Sequence, residues 1–314
     1  MPRILWLSCG GTIACPPNKN NLSPGASEEQ MYDMLKLIPL PDNANITTRC
    51  IMNIDSSDMG VKELRTLASA VHSSVNEGFS GIVITNGTDT MAYTAATLFF
   101  ALENTPPVII TGAQLPFYEK TSDGPANLSN ALKAACDSRF SGVYLLFGDK
   151  IISGDRAVKI HTTDNNAFTS AAGYAAIIRN GEFTGITNVA VKEPDSPGEC
   201  TLHQIAGNTA LIKLTPFTDS YALYSVSTNN IKGLVIEGYG CCGIPGRLLD
   251  TIKRISDRGV KVVFVSQCLY GQTNGERYKV GVNAAKSGVI YGFALTAEAA
   301  LAKLSVTAAQ NPNA

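Results

Sequence analysis

Short apolar runs alternate with segments of helical periodicity through the first half of the chain. The runs are rich in β-branched residues, which is typical of buried strands, and each precedes a longer segment with apolar positions at helical spacing. Strands separated by helices predict βαβ units, and therefore a parallel sheet that is covered by helices on both faces. The predicted strands lie at 4–7, 46–52, 81–85, 107–111 and 143–147, and the predicted helices at 28–38 (after a Ser27 cap), 61–76, 91–102 and 125–136.

The helical pattern lapses after the fifth predicted strand and returns near residue 220. Residues 151–197 are rich in Thr, Asn, Asp and Gly, which favours hairpins and loops, and 193–199 is the best linker candidate. We therefore predict an N-terminal catalytic α/β domain at 1–192, a linker at 193–209 and a smaller C-terminal α/β domain at 210–314. In the latter, strands are predicted at 210–214, 233–236 and 260–265, and helices at 221–225, 247–257 and 298–304.

Composition excludes several classes of protein. The chain has 314 residues, 45% of them hydrophobic and 16% charged, which is typical of a folded globular protein. The net charge of −1 lacks the basic surplus that binding to nucleic-acid phosphates needs. No apolar run reaches the roughly 18 residues of a membrane span, and the N-terminal run is too short for a signal peptide. We therefore expect a cytoplasmic protein with neither nucleic acid nor membrane as a partner.

The eight cysteines and three histidines show no metal-binding pattern. No Cys-x-x-Cys pair occurs and the histidines are scattered, so a structural zinc site is not predicted. Most cysteines lie in apolar surroundings, where a free thiol behaves as a small buried hydrophobe. We expect reduced thiols and no metal. Cys268 could lie at a subunit surface, but burial as a small apolar side chain is the favoured interpretation.

The chemistry-bearing residues concentrate where predicted strands end. Ligands of open parallel sheets bind beyond the carboxyl ends of the strands, so these tips are candidate site residues. Each tip alone has a simpler explanation as a helix cap, and Asp89 or Thr90 could cap the helix at 91–102. Four tips at one sheet edge favour an active site. They read Ser-Cys-Gly-Gly-Thr at 8–12, Asn-Ile-Asp-Ser-Ser-Asp at 53–58, Asn-Gly-Thr-Asp-Thr at 86–90 and Gly-Ala-Gln at 112–114.

The absence of several well-known motifs reduces the number of reactions that the chain could catalyse. The chain has no G-x-G-x-x-G dinucleotide motif, no phosphate-binding P-loop and no G-x-S-x-G elbow, and no histidine lies at a strand tip. A hydroxyl nucleophile activated without histidine remains, with no cofactor expected, and threonine can serve when a lysine activates it. Lys159 is either an ordinary surface lysine or, if buried beside Thr88 and Asp89, a base with a lowered pKa.

Two segments, Leu-Ser-Cys-Gly-Gly-Thr-Ile-Ala at 7–14 and Gly-Ile-Val-Ile-Thr-Asn-Gly-Thr-Asp-Thr-Met-Ala-Tyr at 81–93, resemble the signature segments of bacterial-type L-asparaginases. The resemblance covers nearly the whole chain in order. The Ala-Tyr after Met91 and the lack of an export signal are similar to the cytoplasmic type I branch. Further matching stretches lie at 52–59, 111–116, 122–128, 236–240 and 275–281.

The resemblance implies two groups of catalytic residues. Thr12 would be the nucleophile on a mobile first loop, attacking the side-chain amide carbon of the substrate. Thr88, Asp89 and Lys159 would form a second, rigid cluster in which Lys159 polarises Thr88. The reaction would pass through a covalent β-acyl enzyme, release ammonia and end with attack by water.

The resemblance also implies substrate-binding residues. Ser56 and Asp89 would hold the α-carboxylate and α-amino groups, with Ser57 nearby, because a carboxylate suits an ammonium by charge. Backbone N–H groups near Thr88 and Ala113 are candidate oxyanion donors. The full predicted binding set is Gly11, Ser56, Ser57, Thr88, Asp89 and Ala113.

Some positions depart from the family pattern. Residues 20–25 contain no tyrosine, which many relatives have on this loop, and Cys241-Cys242-Gly243 stands where exported members place an asparagine that reaches a neighbouring subunit. Glu237 lies where some cytoplasmic members have an arginine of an allosteric site, so we predict no substrate activation. The chain ends soon after Leu304, whereas family members usually continue.

The sequence therefore predicts a cofactor-free L-asparagine amidohydrolase that forms a homodimer or homotetramer. A dual glutaminase-asparaginase is an alternative, since one methylene changes binding by only about 1–3 kcal/mol. An amidase subunit acting on a carrier-bound substrate normally has an extra N-terminal domain, for which a chain starting at the first strand leaves no room. A non-catalytic asparagine sensor would keep Ser56 and Asp89 and lose the Thr–Lys machinery.

Overall fold

A computed structural model describes residues 1–16, 24–186, 199–228 and 230–310. The chain forms two compact units, Met1–Leu202 and His203–Ala314. Residues 20–23 of the tyrosine-free stretch at 20–25, residues 193–198 of the linker candidate at 193–199, and the tail at 311–314 lie outside the described residues. Among the described residues, no helix combines the length and the apolar character needed to cross a membrane.

The first unit is built on an eight-stranded sheet with helices on both sides. The strands of this unit are β1 (Arg3–Gly10), β2 (Asn45–Ile54), β3 (Gly81–Thr85), β4 (Leu102–Glu103), β5 (Pro107–Thr111), β6 (Gly142–Phe147), β7 (Lys150–Ser153), β8 (Val158–Lys159), β9 (Phe168–Thr169), β10 (Ala176–Arg179), β11 (Glu182–Thr184) and β12 (Thr201–Leu202). Eight of them form this sheet, in the order β11-β10-β7-β6-β5-β3-β1-β2. Within it β2, β1, β3, β5 and β6 are parallel, and β7, β10 and β11 extend the sheet antiparallel. The helices are α1 (Glu28–Leu35), α2 (Val61–Asn76), α3 (Met91–Ala101) and α4 (Gly124–Ala135).

Successive side chains along a strand point to opposite faces of the sheet, so the core of this unit has one part on each side of the sheet. Trp6 and Val83 lie in one apolar cluster with residues of α1 and α4. Trp6 is 2% exposed, and its indole N–H donates to Thr85 Oγ1 at 3.0 Å. On the other side, α3 packs against β5 and β6.

The start of α1 follows the predicted cap. Ser27 Oγ accepts the N–H of Gln30, and Gln30 Oε1 accepts the N–H of Ser27, so both halves of a capping box form. The helix ends at Leu35, three residues before the predicted end. Pro39 explains part of this difference, because the residue before a proline is disfavoured in helical conformation.

The second unit is a smaller parallel sheet between helices, in the order β13-β14-β15-β16. Residues of α5, α6 and α7 share one core cluster with the sheet, and residues of α8 share the other. The elements are β13 (Thr209–Lys213), α5 (Ser220–Val226), β14 (Gly233–Gly238), α6 (Leu249–Asp257), β15 (Lys261–Ser266), α7 (Lys279–Lys286), β16 (Val289–Tyr291) and α8 (Ala297–Gln310). The predicted mixed α/β fold class is therefore confirmed in both units.

The second unit differs from the prediction in two missed elements, in the start of one helix and in the burial of Cys268. α7 and β16 were not predicted, because they span eight and three residues and α7 has no side-chain cap. The predicted helix at 247–257 begins at Leu249, after a short 3₁₀ turn that follows Pro245. Cys268 is exposed rather than buried, because it lies in the loop after β15, beyond the sheet.

Candidate active site

Two glycines bring the first three strand tips together. Gly11 has a φ of +76°, and a Cβ at this position would overlap the backbone N and Cα of Gly87. A Cβ on Gly87 would in turn lie 2.6 Å from Ser56 Oγ. Only glycine allows such close approach, so the tips that bear Thr12, Ser56 and Thr88 lie against one another.

Lys159 joins this edge from a hairpin. Its ammonium Nζ donates to Thr88 Oγ1 at 2.8 Å and to Asp89 Oδ1 at 2.6 Å. The backbone is held because β8 pairs with β9, with Lys159 opposite Phe168, and because the N–H of Ile160 donates to a neighbouring carbonyl. The Lys159 side chain is 18% exposed and that of Asp89 is 68% exposed. Lys159 is thus packed against the cluster, with the Asp89 carboxylate facing solvent.

Helix capping does not explain the polar residues of the third tip. Thr90 occupies the N-cap position of α3, yet its side chain makes no capping bond and its hydroxyl donates to the carbonyl of Ser56 at 2.9 Å. Asp89 is engaged by Lys159. The capping alternative is therefore wrong at this tip.

Capping does explain part of the second tip. Asp55 precedes a short 3₁₀ turn, and its Oδ1 accepts the N–H of Ser57 at 2.8 Å and the Ser57 hydroxyl at 2.7 Å. These bonds, the backbone N–H foremost, lower the pKa of Asp55. Ser56 is 5% exposed and its Oγ accepts the N–H of Asp89 at 3.3 Å. The structure thus joins Ser56 to the cluster, whereas the Ser57 hydroxyl is bonded to Asp55.

Thr12 begins the 3₁₀ turn that follows the Gly11–Gly87 contact. The turn is closed by the N–H of Ala14 donating to the carbonyl of Gly11 and that of Cys15 donating to the carbonyl of Thr12, each at 3.0 Å. Thr12 is half-buried, and the turn is anchored by the adjacent buried Ile13 and Ala14. Thr12 is therefore held next to the Thr88 tip from the opposite loop.

The fourth tip rests on two buried polar side chains that sequence reasoning missed. The Asp123 carboxylate accepts the N–H of Gln114 at 2.9 Å and an amide N–H of Asn127 at 3.1 Å. Asn127 also donates to the carbonyl of Gly112 at 2.9 Å. Both side chains are at most 9% exposed. They hold the backbone around Ala113, and their only signal was their position in the matching stretch at 122–128.

Gln114 is a further residue that the sequence did not single out. The Thr88 hydroxyl donates to Gln114 Oε1 at 3.4 Å, while Gln114 Nε2 donates to the carbonyl of Asp164 at 3.0 Å. Gln114 thus connects Thr88 to the loop of the hairpin that bears Lys159. Its place next to Ala113, at a tip, was the available signal.

In the part of the chain that the structure describes, no group of three or more His, Cys, Asp or Glu side chains could hold a metal ion. The geometry instead places a threonine hydroxyl against a lysine ammonium, with a carboxylate beside both, at the carboxyl edge of a parallel sheet. This arrangement defines an α/β enzyme of the hydroxyl-nucleophile class.

The family follows from sequence comparison. The family model "Asparaginase, N-terminal" matches residues 3–189, and "Glutaminase/Asparaginase C-terminal domain" matches residues 208–314. Together they cover most of the chain. The chain belongs to the asparaginase family.

Three similar proteins illustrate the family. An L-asparaginase of Thermococcus kodakarensis is 38% identical over 310 residues, covering 96% of this chain and 91% of that protein. One subunit of the glutamyl-tRNA(Gln) amidotransferase of Pyrococcus furiosus is 33% identical over 317 residues, covering 97% of this chain and 71% of that protein. The crystal structure of L-asparaginase I from Vibrio cholerae has a TM-score of 0.85 at 32% identity, covering 99% of this chain and 94% of the other.

Proposed function

We propose that this protein hydrolyses L-asparagine to L-aspartate and ammonia through a threonine-bound acyl enzyme. The observation that carries the proposal is the contact of Lys159 Nζ with both Thr88 Oγ1 and Asp89 Oδ1, beside the loop that bears Thr12. Membership of the asparaginase family and similarity to named L-asparaginases support the same reaction.

Thr12 is the proposed nucleophile. Its Oγ loses its proton and forms a bond to the side-chain amide carbon. The C–N bond breaks, and the nitrogen takes up a proton in place of the one that Thr12 lost and leaves as ammonia. Water then attacks the ester, which releases aspartate and restores the threonine hydroxyl. In this proposal Lys159 polarises the Thr88 hydroxyl, and Thr88, Asp89 and Lys159 act as one catalytic cluster.

The proposed binding set surrounds these groups. The exposed Asp89 carboxylate suits the substrate's α-ammonium, and Ser56, whose Oγ lies next to the Asp89 backbone, suits the α-carboxylate. In this proposal the backbone N–H groups near Thr88 and Ala113 stabilise the developing oxyanion. Gly11, whose own N–H donates to the carbonyl of Ile54, lets the first tip approach the substrate closely. Ser57 completes the set from the edge of the second tip.

We further propose residues 1–192 as the catalytic domain, 193–209 as a linker and 210–314 as the C-terminal domain. A homodimer or homotetramer and a cytoplasmic location belong to the same proposal. All eight cysteines are free thiols in the structure. Size-exclusion chromatography with light scattering tests the assembly, and a monomer would contradict it.

The test is ammonia release by the purified protein on L-asparagine and L-glutamine side by side. The Thr88→Ala variant is the test variant, and Thr66→Ala, on the exposed face of α2, is its matched control. We expect release from L-asparagine by the wild type and Thr66→Ala, and its loss in Thr88→Ala. Equal release from both amino acids would indicate a dual glutaminase-asparaginase. Saturable asparagine binding without release would overturn the proposal in favour of a sensor.

A further inference from the structure

Two adjacent cysteines form a dithiol in the second unit. Cys241 Sγ and Cys242 Sγ lie 3.8 Å apart. Cys241 is half-buried and Cys242 is 2% exposed, so the pair is approached from the Cys241 side. Two sulfur ligands of one tetrahedral ion, with bonds of about 2.3 Å, are about 3.8 Å apart. The spacing is close to that of two ligands on one soft atom, and a pyramidal trivalent atom, whose bond angle is smaller, needs the two sulfurs to move slightly closer.

The backbone fixes this spacing. The two cysteines lie in a tight loop closed by hydrogen bonds between Tyr239 and Gly243, at 3.1 and 2.7 Å. A Cβ on Gly243 would lie 2.6 Å from the carbonyl of Tyr239, so the closure requires glycine. The N–H of Asn274 donates to the carbonyl of Cys241 at 2.8 Å and holds the loop from outside. The dithiol is thus preorganised in the folded chain.

Burial changes the properties of the inner thiol of this pair. Burial, followed by the Cys241 contact, raises the pKa of Cys242, although Arg277 and the backbone of Gly281 act in the opposite direction. Burial also raises the pKa of Tyr291 to about 12, and its hydroxyl is bonded to the carbonyl of Gly281. Within the described ranges of the chain, no third His, Cys, Asp or Glu joins the pair in a metal-holding group. A ligand for this site must therefore be satisfied by two sulfurs.

We infer that Cys241 and Cys242 form a binding site for a thiophilic, monosubstituted trivalent arsenical. Such an arsenic atom keeps one organic substituent and makes two further bonds, which the two sulfurs satisfy. With phenylarsine oxide, the arsenic–oxygen bonds break, two arsenic–sulfur bonds form, and the oxygen leaves as water with both thiol protons. Arsenic stays trivalent, so no oxidant or reductant takes part. Soft sulfur ligands favour soft acceptors of this kind.

The test uses phenylarsine oxide on the purified, reduced protein, with intact-mass and peptide-mass measurements. We expect one adduct, mapped to the peptide with both cysteines, that withstands a monothiol and is removed by a dithiol. Cys241→Ser should weaken retention by about 100-fold, because the second bond is then no longer intramolecular. The control is Cys268→Ser, which removes an exposed single thiol and should leave the adduct unchanged.

A second variant guards against loss of structure. Cys242 is buried, so the folding of Cys242→Ala is checked by circular dichroism. When folded, this variant should lose the adduct as Cys241→Ser does. Equal retention by Cys241→Ser and the wild type would overturn the inference, and so would an adduct that maps to Cys268 or is released by a monothiol. Asparagine hydrolysis does not enter either outcome.

Discussion

The two units end their parallel strands in different ways. In the first, the tips of β1, β2 and β3 approach through glycine. The Ser56 hydroxyl of the second tip accepts the backbone N–H of Asp89 in the third, and Lys159 donates to the Thr88 hydroxyl. In the second, the Gln267 side chain ties the strand ends: its Nε2 donates to the carbonyl of Leu214 at 2.7 Å and to that of Glu237 at 2.9 Å.

This contrast shows what a sheet edge needs to become a site. Both units have the parallel strands whose carboxyl ends commonly bind ligands. In the second unit, the Gln267 amide satisfies the carbonyls, which closes the edge and stabilises the fold. In the first unit, glycine backbones bring Thr12, Ser56 and Thr88 close together, so that hydroxyls and a carboxylate meet at one place. Topology alone does not distinguish them; the residues at the tips do.

The largest difference between the two units is expected when Thr12, the proposed nucleophile, is replaced. Thr12→Val keeps the shape of the side chain and removes the attacking oxygen, so we expect kcat to fall by about 10⁴-fold or more, with binding nearly intact. Ammonia release and calorimetric binding of L-asparagine measure the two effects. Thr66→Val, on exposed α2, is the matched control. Full activity in Thr12→Val would rule out Thr12 as the nucleophile.

The next largest effect is expected at Lys159. Lys159→Met retains the aliphatic stem and removes the ammonium that contacts Thr88 and Asp89. We expect turnover to fall by about 10²–10⁴-fold, the usual contribution of a proton-handling side chain. Lys150→Met is the control, because Lys150 bonds to Asn166 in the same region. A shift of the pH optimum with undiminished turnover would make Lys159 peripheral.

A smaller effect is expected where a tip is held from beneath. Asp123→Asn replaces one carboxylate oxygen with an NH₂ group. This donor then faces one of the buried N–H groups that donate to Asp123 in the wild type. The free energy of unfolding should fall by about 1–3 kcal/mol, and kcat/KM by about 10- to 100-fold through misplacement of the Ala113 backbone. Urea denaturation and steady-state kinetics measure these. If kcat/KM stays at the wild-type value, the buried pair has only a structural role.

The matched change in the second unit is Gln267→Leu. It leaves two strand-end carbonyls without the Gln267 amide. We expect the free energy of unfolding to fall by about 1 kcal/mol in the same denaturation experiment. The pair of variants thus separates an edge that positions a reacting group from one that only stabilises.

The smallest expected effect is a difference between the two units in how the free energy of unfolding depends on pH. Hydrogen bonds from Ser57 lower the pKa of Asp55, whereas burial raises the pKa of Glu298. The stability from Asp55 is complete above its unfolded pKa of about 3.9 and is lost as pH falls through the lower folded pKa. Glu298 acts oppositely: its destabilising effect grows as pH rises from about 4.3 through the higher folded pKa.

Urea denaturation of two variants across this pH range measures the effect. At neutral pH, Asp55→Asn should be less stable than the wild type and Glu298→Gln more stable. Both differences should shrink as pH falls, since the wild-type carboxyls are then protonated. If the two variants shift stability in the same direction at neutral pH, the assigned environments are wrong.

Local sequence was sufficient to specify the elements and the chemical types at the tips. The strands at 81–85 and 107–111 and the helix at 61–76 were predicted with the observed bounds, and the Ser27 capping box was confirmed. These features depend on apolar periodicity and on contacts within a few residues, which the chain carries locally.

Which of those residues meet depends on the packed chain. Lys159 contacts Thr88 across 71 positions in sequence, and that contact depends on the β8–β9 hairpin, whose two-residue strands have no pattern to read. The same is true of Asp123 beneath Gln114, and of Thr90, which bonds to Ser56 instead of capping α3. Local propensity specifies an element, whereas a site is set by which long-range hydrogen bonds the packed chain can satisfy.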